Sequence, residues 1–357
     1  MKLLSKGIVI LILLSALFGC KSGTSGSLSE IKVRHLVDTV GFAKYSWQMD
    51  SIMVRIDRNG WDRSTGLPWK MVICPHDDYT YVGKLYPEIL SNVKAKNLIL
   101  IGVAHKAASL GIENLLVFDS YTGWKGPWGT INVSPEREEL LKILGDHYST
   151  VNDSLHSVEH SLEALIPFLQ FFNKEISIIP ILVPAMSPER MDECGKALAD
   201  AIRSIAAKNR WEWGKDFSFV TTTDAVHYGN VDWGGVDYAF FGCDEAGNKW
   251  AVEHENKIIN TCLTGQITPE KIRSFNDFTL DSIDFHKYKW TWCGRYCVPV
   301  SLYTSYYLND SHPLAGELKG YSTSILSEHI PVDDLGMGRT AIAATCHWVG
   351  YAAIGYK

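Results

Sequence analysis

The sequence has 357 residues, 46% of them hydrophobic and 21% charged, and its 34 basic and 40 acidic side chains give a formal charge of −6. This composition excludes disordered, fibrous and collagen-like proteins. A mildly acidic chain without a run of Lys or Arg also lacks the electrostatic signature of nucleic-acid binding, so we expect no nucleic-acid partner.

The N-terminal segment resembles that of an exported bacterial lipoprotein. A basic start is followed by an apolar run over residues 7–18, which has the length of a signal-peptide core and is too short to span a bilayer. The run ends in Leu-Phe-Gly-Cys20, which resembles a lipobox. We therefore expect residues 1–19 to be a lipoprotein signal peptide, Cys20 to be lipidated, and residues 20–30 to be a flexible tether. The alternative is an ordinary secretory signal with a chance cysteine.

This interpretation places the protein in the bacterial cell envelope, lipid-anchored and on the outer membrane, with the lipid as its only membrane attachment. Export permits disulfides, but seven cysteines remain after Cys20, and the chain is large enough not to need bridges. Because seven is odd, at least one thiol stays unpaired or binds another group. Cys293 and Cys297 lie close in sequence, but their spacing alone is weak support for a bridge or a metal site.

From residue 70 onward, apolar runs alternate with helical periods. The runs at 71–74, 98–103, 176–183 and 217–222 predict buried strands. The small, β-rich segments at 318–325 and 340–354 predict strands that close the sheet.

Three of the predicted helices share one start signal. Ser134, Ser187 and Thr268 are each followed by Pro-Glu, which places a hydroxyl at the N-cap, proline at the first helical position and an acid near the positive end of the helix. A further helix is predicted over residues 244–263. Strands that alternate with helices over short connections predict a single α/β domain over residues 31–357, with a central, mostly parallel sheet and helices on both faces.

Histidines follow three of the predicted strands. His76 and His105 come directly after the strands at 71–74 and 98–103, and Asp224 and His227 come after the strand at 217–222. Binding sites in α/β sheets form at the carboxyl ends of the strands, so these side chains are expected to converge. A single histidine at a strand end is usually a capping or packing residue, whereas three together with a free thiol favour a metal site.

A second cluster, His156-Ser-Val-Glu159-His160, matches the H-x-x-E-H signature of inverted zinc peptidases. On a helix, His156 and His160 would share a face, with Glu159 beside them as general base. The alternative is that Glu159 and His160 begin a helix that continues through residues 162–169.

Five motifs together resemble one protein family. They are Pro75-His76-Asp-Asp-Tyr-Thr-Tyr-Val-Gly83, Gly102-Val-Ala-His105, Glu159-His160-Ser161, Asp224 followed by His227-Tyr-Gly229, and Cys293-Gly-Arg295. Their order and spacing resemble the Memo-like proteins, called AmmeMemoRadiSam system protein B in bacteria and archaea. The resemblance runs from about residue 70 to the C-terminus. It implies a fold similar to that of the class III extradiol ring-cleaving dioxygenases.

The resemblance also implies a site. His76, His105 and Cys293 fall on the family's metal-binding positions, and Asp224 and His227 line the same pocket as candidate catalytic residues. Two imidazoles and a thiolate favour a transition metal, iron first, with copper and zinc as alternatives. Because only Cys293 matches the family position and a bridged sulfur is a poor ligand, we expect no disulfide between Cys293 and Cys297.

Three functions follow from these residues. The first is a metal-dependent redox enzyme of the dioxygenase-like type, acting on an unknown small molecule. The second is a metal-binding or redox-handling envelope lipoprotein without turnover. The third is a zinc peptidase that uses His156, Glu159 and His160, the last two being catalytic candidates in either enzyme.

Overall fold

Continuous apolar runs form the strands at the centre of the sheet. The strands Met71–Cys74 and Phe217–Thr222 have the predicted bounds, and Asn97–Val103 and Ser177–Val183 differ from theirs by one residue. All four are buried over nearly their whole length. Strands covered on both faces need apolar side chains on both, and for this reason they appear in the sequence as unbroken runs.

The computed structural model describes residues 31–61 and 66–357. The predicted signal peptide, the predicted lipidation site Cys20 and the predicted tether lie outside the described residues. Ile31–Lys357 form one unit by their internal contacts. Within the described part of the chain, no helix has both the length and the hydropathy needed to cross a membrane.

The strands, in chain order, are β1 Val33–Arg34, β2 Met71–Cys74, β3 Asn97–Val103, β4 Leu116–Phe118, β5 Gly123–Gly126, β6 Gly129–Val133, β7 Ser149–Val151, β8 Ser177–Val183, β9 Phe217–Thr222, β10 His227–Gly229, β11 Gly265–Gln266, β12 Ala315–Thr323 and β13 His347–Tyr356. The α-helices are α1 Ser46–Asn59, α2 Tyr79–Val82, α3 Leu85–Leu90, α4 Glu136–Tyr148, α5 Asp153–His156, α6 Ile166–Phe172, α7 Pro188–Asn209, α8 Glu245–Ile258, α9 Pro269–Thr279 and α10 Cys297–Leu308. A π-helical turn at Ile259–Leu263 extends α8 to the end of the predicted helix.

The main path of the sheet runs β1-β5-β6-β8-β3-β9-β2-β13-β12-β11. The neighbours β6, β8, β3, β9 and β2 are parallel, whereas β13, β12 and β11 add to β2 in antiparallel order. The prediction of a mostly parallel central sheet is confirmed.

Helices cover both faces of this sheet. Alternation along β2 sends Met71 and Ile73 into one hydrophobic cluster and Val72 and Cys74 into the other. The first cluster includes side chains of α4, α7, α8, α9 and α10, and the second includes side chains of α1, α3 and α6. The predicted single α/β domain is therefore confirmed.

The structure contains only some of the predicted helix N-caps and only part of the predicted closing strand at 340–354. Ser187 caps α7 by accepting a hydrogen bond from the Arg190 N–H, whereas the helix after Ser134 begins at Glu136 and Thr268 makes no side-chain cap. The predicted strand at 340–354 begins only at His347. Residues 340–346 are held off the sheet because the Asp78 carboxylate accepts hydrogen bonds from both the backbone N–H and the hydroxyl of Thr340.

Candidate metal centre

The candidate centre lies at the carboxyl end of three adjacent strands. His76, His105 and Asp224 each lie two residues beyond the end of a strand, β2, β3 and β9 respectively. These strands are neighbours in the order β3-β9-β2 and run parallel. The equal offset of two residues therefore brings the three side chains to one edge of the sheet.

Cys293 reaches the same edge from the segment that precedes α10. Its neighbour Gly294 donates a hydrogen bond to the Thr223 hydroxyl at 2.8 Å. A Cβ atom at Gly294 would lie 2.2 Å from that oxygen, so only glycine permits this close approach. The glycine of the Cys-Gly-Arg motif thus places the thiol against the end of β9.

The ligand atoms of His76, His105 and Cys293 all lie within 4.8 Å of one another. The Nε2 atom of His76 is 3.6 Å from the Cys293 sulfur, and the His76 and His105 ring centroids are 5.2 Å apart. The structure therefore brings the three residues implied by the family resemblance together, although more than 200 residues separate the first from the last.

Glu159 fixes the orientation of His105. Its carboxylate accepts hydrogen bonds from the backbone N–H of His105 at 2.6 Å and from the Nδ1 atom of the same residue at 2.8 Å. Burial alone would raise the pKa of Glu159, but interaction with His105 and His160 outweighs burial and lowers that pKa to about 2. The ionised carboxylate holds a proton on Nδ1 and leaves Nε2 of His105 free to act as a ligand.

His76 is held in a similar way. Its backbone N–H donates to Asp224 Oδ1 at 2.9 Å, and its Nδ1 atom pairs with the Thr222 hydroxyl at 3.0 Å. Burial, reinforced by the nearby His105 and His160, keeps the pKa of His76 well below its ordinary range. The ring is therefore neutral at neutral pH, which is the form that binds a metal.

The Cys293 sulfur accepts a hydrogen bond from the backbone N–H of Asp224 at 3.1 Å. Burial and the Asp224 carboxylate raise the pKa of its thiol well above the ordinary value, so a thiolate at this position needs a cation beside it. Cys293 and Cys297 are both free thiols in the structure, in agreement with the prediction that they do not form a bridge.

The other predicted site residues surround this group. His227 donates a hydrogen bond from Nδ1 to the Thr291 carbonyl, with a separation of 3.2 Å, and burial lowers its pKa to about 4. His160 stacks on His105 with 5.1 Å between ring centroids. Burial, with Asp77 as the next cause, raises the pKa of Asp224 well above its ordinary value.

Glu159 and His160 also form a second group with His105, again with ligand atoms within 4.8 Å. His156 is not part of it. The helix α5 ends at His156, and the buried His156 ring forms a hydrogen bond through Nε2 with the Val117 carbonyl. The expectation that His156 and His160 share a helical face is therefore wrong. The alternative is also wrong, because the next helical turn begins only at Glu163.

Three cavities meet at this centre and share His105. The largest, about 710 Å³, includes His76, His160, Asp224 and His227 in its wall. The others have volumes of about 420 and 320 Å³, and Cys293 borders both. The arrangement leaves room for a small molecule beside the three candidate ligands.

Several residues that shape the site were not predicted from the sequence. Thr222, Thr223 and Thr291 orient His76, Gly294 and His227 through hydrogen bonds. Trp233 stacks on His347 at 4.2 Å in the wall of the largest cavity. Three consecutive threonines at 221–223, at the end of β9 and directly after it, indicate residues that position the site, because buried hydroxyls must find hydrogen-bond partners.

These observations fit a transition-metal ion. His76 has Nε2 3.6 Å from the Cys293 sulfur, and both His76 and His105 have Nδ1 engaged with the protein. Two neutral imidazoles and one thiolate form a borderline-soft donor set that suits iron, copper or zinc better than magnesium or calcium.

The chain is also similar in sequence to proteins of one known family. A family model described as "Memo-like protein" matches residues 50–330. A MEMO1 family protein of Methanothermobacter thermautotrophicus is 28% identical over 167 residues, which cover 46% of this chain and 56% of the relative. One from Pyrobaculum arsenaticum is 31% identical over 162 residues, covering 44% of this chain and 52% of the relative. The chain thus spans about half the length of the curated relatives it matches.

Proposed function

The chain belongs to the Memo-like protein family, and on this premise we propose that it holds one transition-metal ion, iron in preference to copper or zinc, through His76, His105 and Cys293. The observation that carries the proposal is the convergence of these three ligand atoms within 4.8 Å. The carboxylate of Glu159 accepts a hydrogen bond from His105, and the backbone N–H of Asp224 donates one to the Cys293 sulfur. Such supporting contacts are typical of protein metal sites.

We further propose that the site belongs to a metal-dependent redox enzyme of the dioxygenase-like type that acts on a small molecule. Three protein ligands leave open positions on an ion, and the adjoining cavity of about 710 Å³ has room for a substrate. A bound iron ion would supply redox chemistry and positive charge. This cavity favours the enzyme over a protein that only stores metal, because a storage site needs no such space.

His227 is the candidate proton carrier of this enzyme. Its Nδ1 proton is engaged with the Thr291 carbonyl, so Nε2 is the atom that is free to accept a proton. Burial lowers the pKa of His227 to about 4, so the ring is neutral at neutral pH, which is the form that can accept a proton. We assign a substrate contact to His160, because it stacks on His105 and lines the same cavity.

The experiment is metal analysis of the purified protein and of the variants His76→Ala, His105→Ala and Cys293→Ser. We expect about one ion per chain in the parent protein and at least a tenfold loss of metal affinity in each variant, since each removes a direct ligand. Cys297→Ser is the matched control, because Cys297 is a buried free thiol four residues away whose sulfur bonds to the Thr222 carbonyl. Equal metal content in parent and ligand variants would refute the assignment.

Oxygen uptake by the metal-loaded protein with catechol as probe separates the two metal-dependent functions. Uptake that is lost in His227→Gln, while metal content is retained, supports the enzyme. A full complement of metal without uptake for a panel of catechols supports the alternative, an envelope protein that holds metal without turnover.

We also propose that the protein is a lipid-anchored protein of the bacterial envelope, attached through Cys20. Support comes from the lipobox-like Leu-Phe-Gly-Cys20 and from the disulfide between Cys243 and Cys346, since disulfides persist mainly in oxidising compartments. The test is fractionation of cells that produce the Cys20→Ala variant. We expect the parent in the membrane fraction and the variant outside it, whereas unchanged fractionation would exclude the anchor.

A further inference from the structure

The cavity of about 420 Å³ borders the candidate metal centre at His105 and Cys293 but does not include His76 or His227. One part of its wall is apolar and consists of Val103, Ala104, Ala107, Val183 and Pro184. The proposed function makes no use of this space.

Arg295 lines the same cavity and is only 8% exposed. Its guanidinium lies over the ring of Tyr288, 3.6 Å from the centroid, and over that of Tyr296 at 4.4 Å. Its Nη2 atom donates a hydrogen bond to the His286 carbonyl at 3.1 Å, its guanidinium also interacts with the hydroxyls of Tyr288 and Tyr296, and its buried Nε has no partner among the described residues.

The charge of this guanidinium has no carboxylate to pair with in the described part of the chain. Glu113, the acid in the same cavity wall, instead pairs with the His286 ring at 3.0 Å. Two aromatic rings offset part of the cost of burying the charge, but a buried arginine is normally paired with an anion. Arg137 illustrates the usual case, because it is equally buried and bonds to Asp119 at 2.6 Å.

We propose that Arg295 binds the carboxylate of an organic substrate whose apolar body lies along the wall from Val103 to Ala107. This inference rests on the proposed function, because it places the carboxylate part of the proposed substrate in this smaller cavity, which shares His105 with the cavity of about 710 Å³. The paired N–H groups of a guanidinium match the planar fork of a carboxylate. The cavity offers one arginine and an apolar wall rather than several cations, which favours an organic carboxylate over inorganic phosphate.

The test is calorimetric titration of the full chain, freed of metal by a chelator, with benzoate, with its neutral isostere benzamide and with inorganic phosphate. We expect benzoate to bind at least tenfold more tightly than either of the others. In Arg295→Gln we expect benzoate binding to weaken at least tenfold. Arg273→Gln is the matched control, since Arg273 is an exposed arginine on α9 that pairs with Glu270, and its substitution leaves the affinity unchanged.

The use of metal-free protein keeps the two proposals separable. Equal affinity for benzoate and benzamide, or benzoate binding unaffected by Arg295→Gln, overturns the carboxylate site even when the metal analysis succeeds. Benzoate binding that requires the metal shows direct coordination and also overturns it. Phosphate that binds as tightly as benzoate overturns the assignment of an organic ligand.

Two measurements guard against a variant that fails to fold. The comparison of benzoate with benzamide uses the parent protein alone. Arg295→Lys keeps the charge but loses the planar fork, so we expect an affinity for benzoate between those of the parent and Arg295→Gln. Lysine binding as weakly as glutamine would contradict a role for the charge.

Discussion

Three of the histidines around the candidate centre each have one ring nitrogen engaged with the protein. The Nδ1 atoms of His76, His105 and His227 contact Thr222, Glu159 and the Thr291 carbonyl respectively. The remaining nitrogen of each ring is Nε2, and that of His76 lies 3.6 Å from the Cys293 sulfur and 3.5 Å from Asp224 Oδ2. The Nδ1 contacts fix the tautomer and the orientation of each ring before a ligand binds.

The buried His156, which lies outside the site, provides a pH-dependent prediction. Burial lowers its pKa from the ordinary 6.5 to about 4. As the pH falls, the unfolded chain takes up this proton first, so the stability that His156 contributes above pH 6.5 is lost between pH 6.5 and 4. We expect His156→Gln to remove roughly 2–3 kcal/mol of the acid-induced loss in the free energy of unfolding at pH 4.

The measurement is urea unfolding of metal-free parent and His156→Gln at pH 7 and pH 4. The exposed His312, changed to glutamine, serves as control and should keep the pH dependence of the parent protein. If His156→Gln loses as much stability as the parent between the two pH values, His156 does not resist protonation in the folded state.

The candidate metal ligands could be predicted from the sequence, whereas the residues that form hydrogen bonds with them could not. His76 and His105 could be predicted as site residues because each follows an apolar run, and Cys293 because it lies in a family motif. The contact of His76 with Thr222 depends on the pairing of β2 with β9 in one register, which no local pattern specifies. The unpaired state of Arg295 also follows only from the packing of distant segments around it.

The helix starts that follow Ser187 and Thr268 share one sequence pattern but differ in their contacts. The Ser187 hydroxyl accepts a hydrogen bond from the Arg190 N–H at 3.2 Å, whereas Thr268 makes no side-chain cap. We expect Ser187→Ala to lower the free energy of unfolding by about 0.5–2 kcal/mol and Thr268→Ala to lower it by only a few tenths.

Chemical denaturation of the two alanine variants beside the parent protein measures this difference. Because both helices also have proline at the first position and an acid in the first turn, the comparison isolates the hydroxyl contact. Equal losses in the two variants would mean that the contact with Arg190 does not stabilise α7.

Elements that depend on local pattern were predicted well, and those that depend on distant contacts were not. The four central strands follow from apolar runs. The segment at 340–346 has a strand-like composition, but contacts with Asp78 and with the hydroxyl of Tyr81 determine its path. The segment from His156 to His160 has a helical motif, yet hydrogen bonds of Glu159 with His105 hold it in a non-helical course.

The disulfide between Cys243 and Cys346 joins parts of the molecule that are 103 residues apart in sequence. Cys346 directly precedes β13, and the segment before Cys243 includes Trp233 in the wall of the largest cavity. A crosslink over a loop of this length limits the freedom of the unfolded chain. We expect the double variant Cys243→Ser/Cys346→Ser to lose about 2–5 kcal/mol of unfolding free energy.

Thermal unfolding with and without a reductant tests this prediction. Reductant should destabilise the parent protein by the same amount and leave the double variant unchanged. A parent protein that unfolds at the same temperature under both conditions would show that the bridge does not contribute to stability.

The position of β13 in the sheet has a consequence for biosynthesis. It is the latest of the described strands in chain order, yet it lies inside the sheet, between β2 and β12, and all ten of its residues are buried. A chain emerging from the ribosome therefore has no partner for that side of β2 until residues 347–356 have been made. A nascent chain stalled before residue 347 would expose the unpaired edge of the apolar strand β2. Unpaired strand edges of this kind are prone to aggregation and are surfaces that chaperones shield.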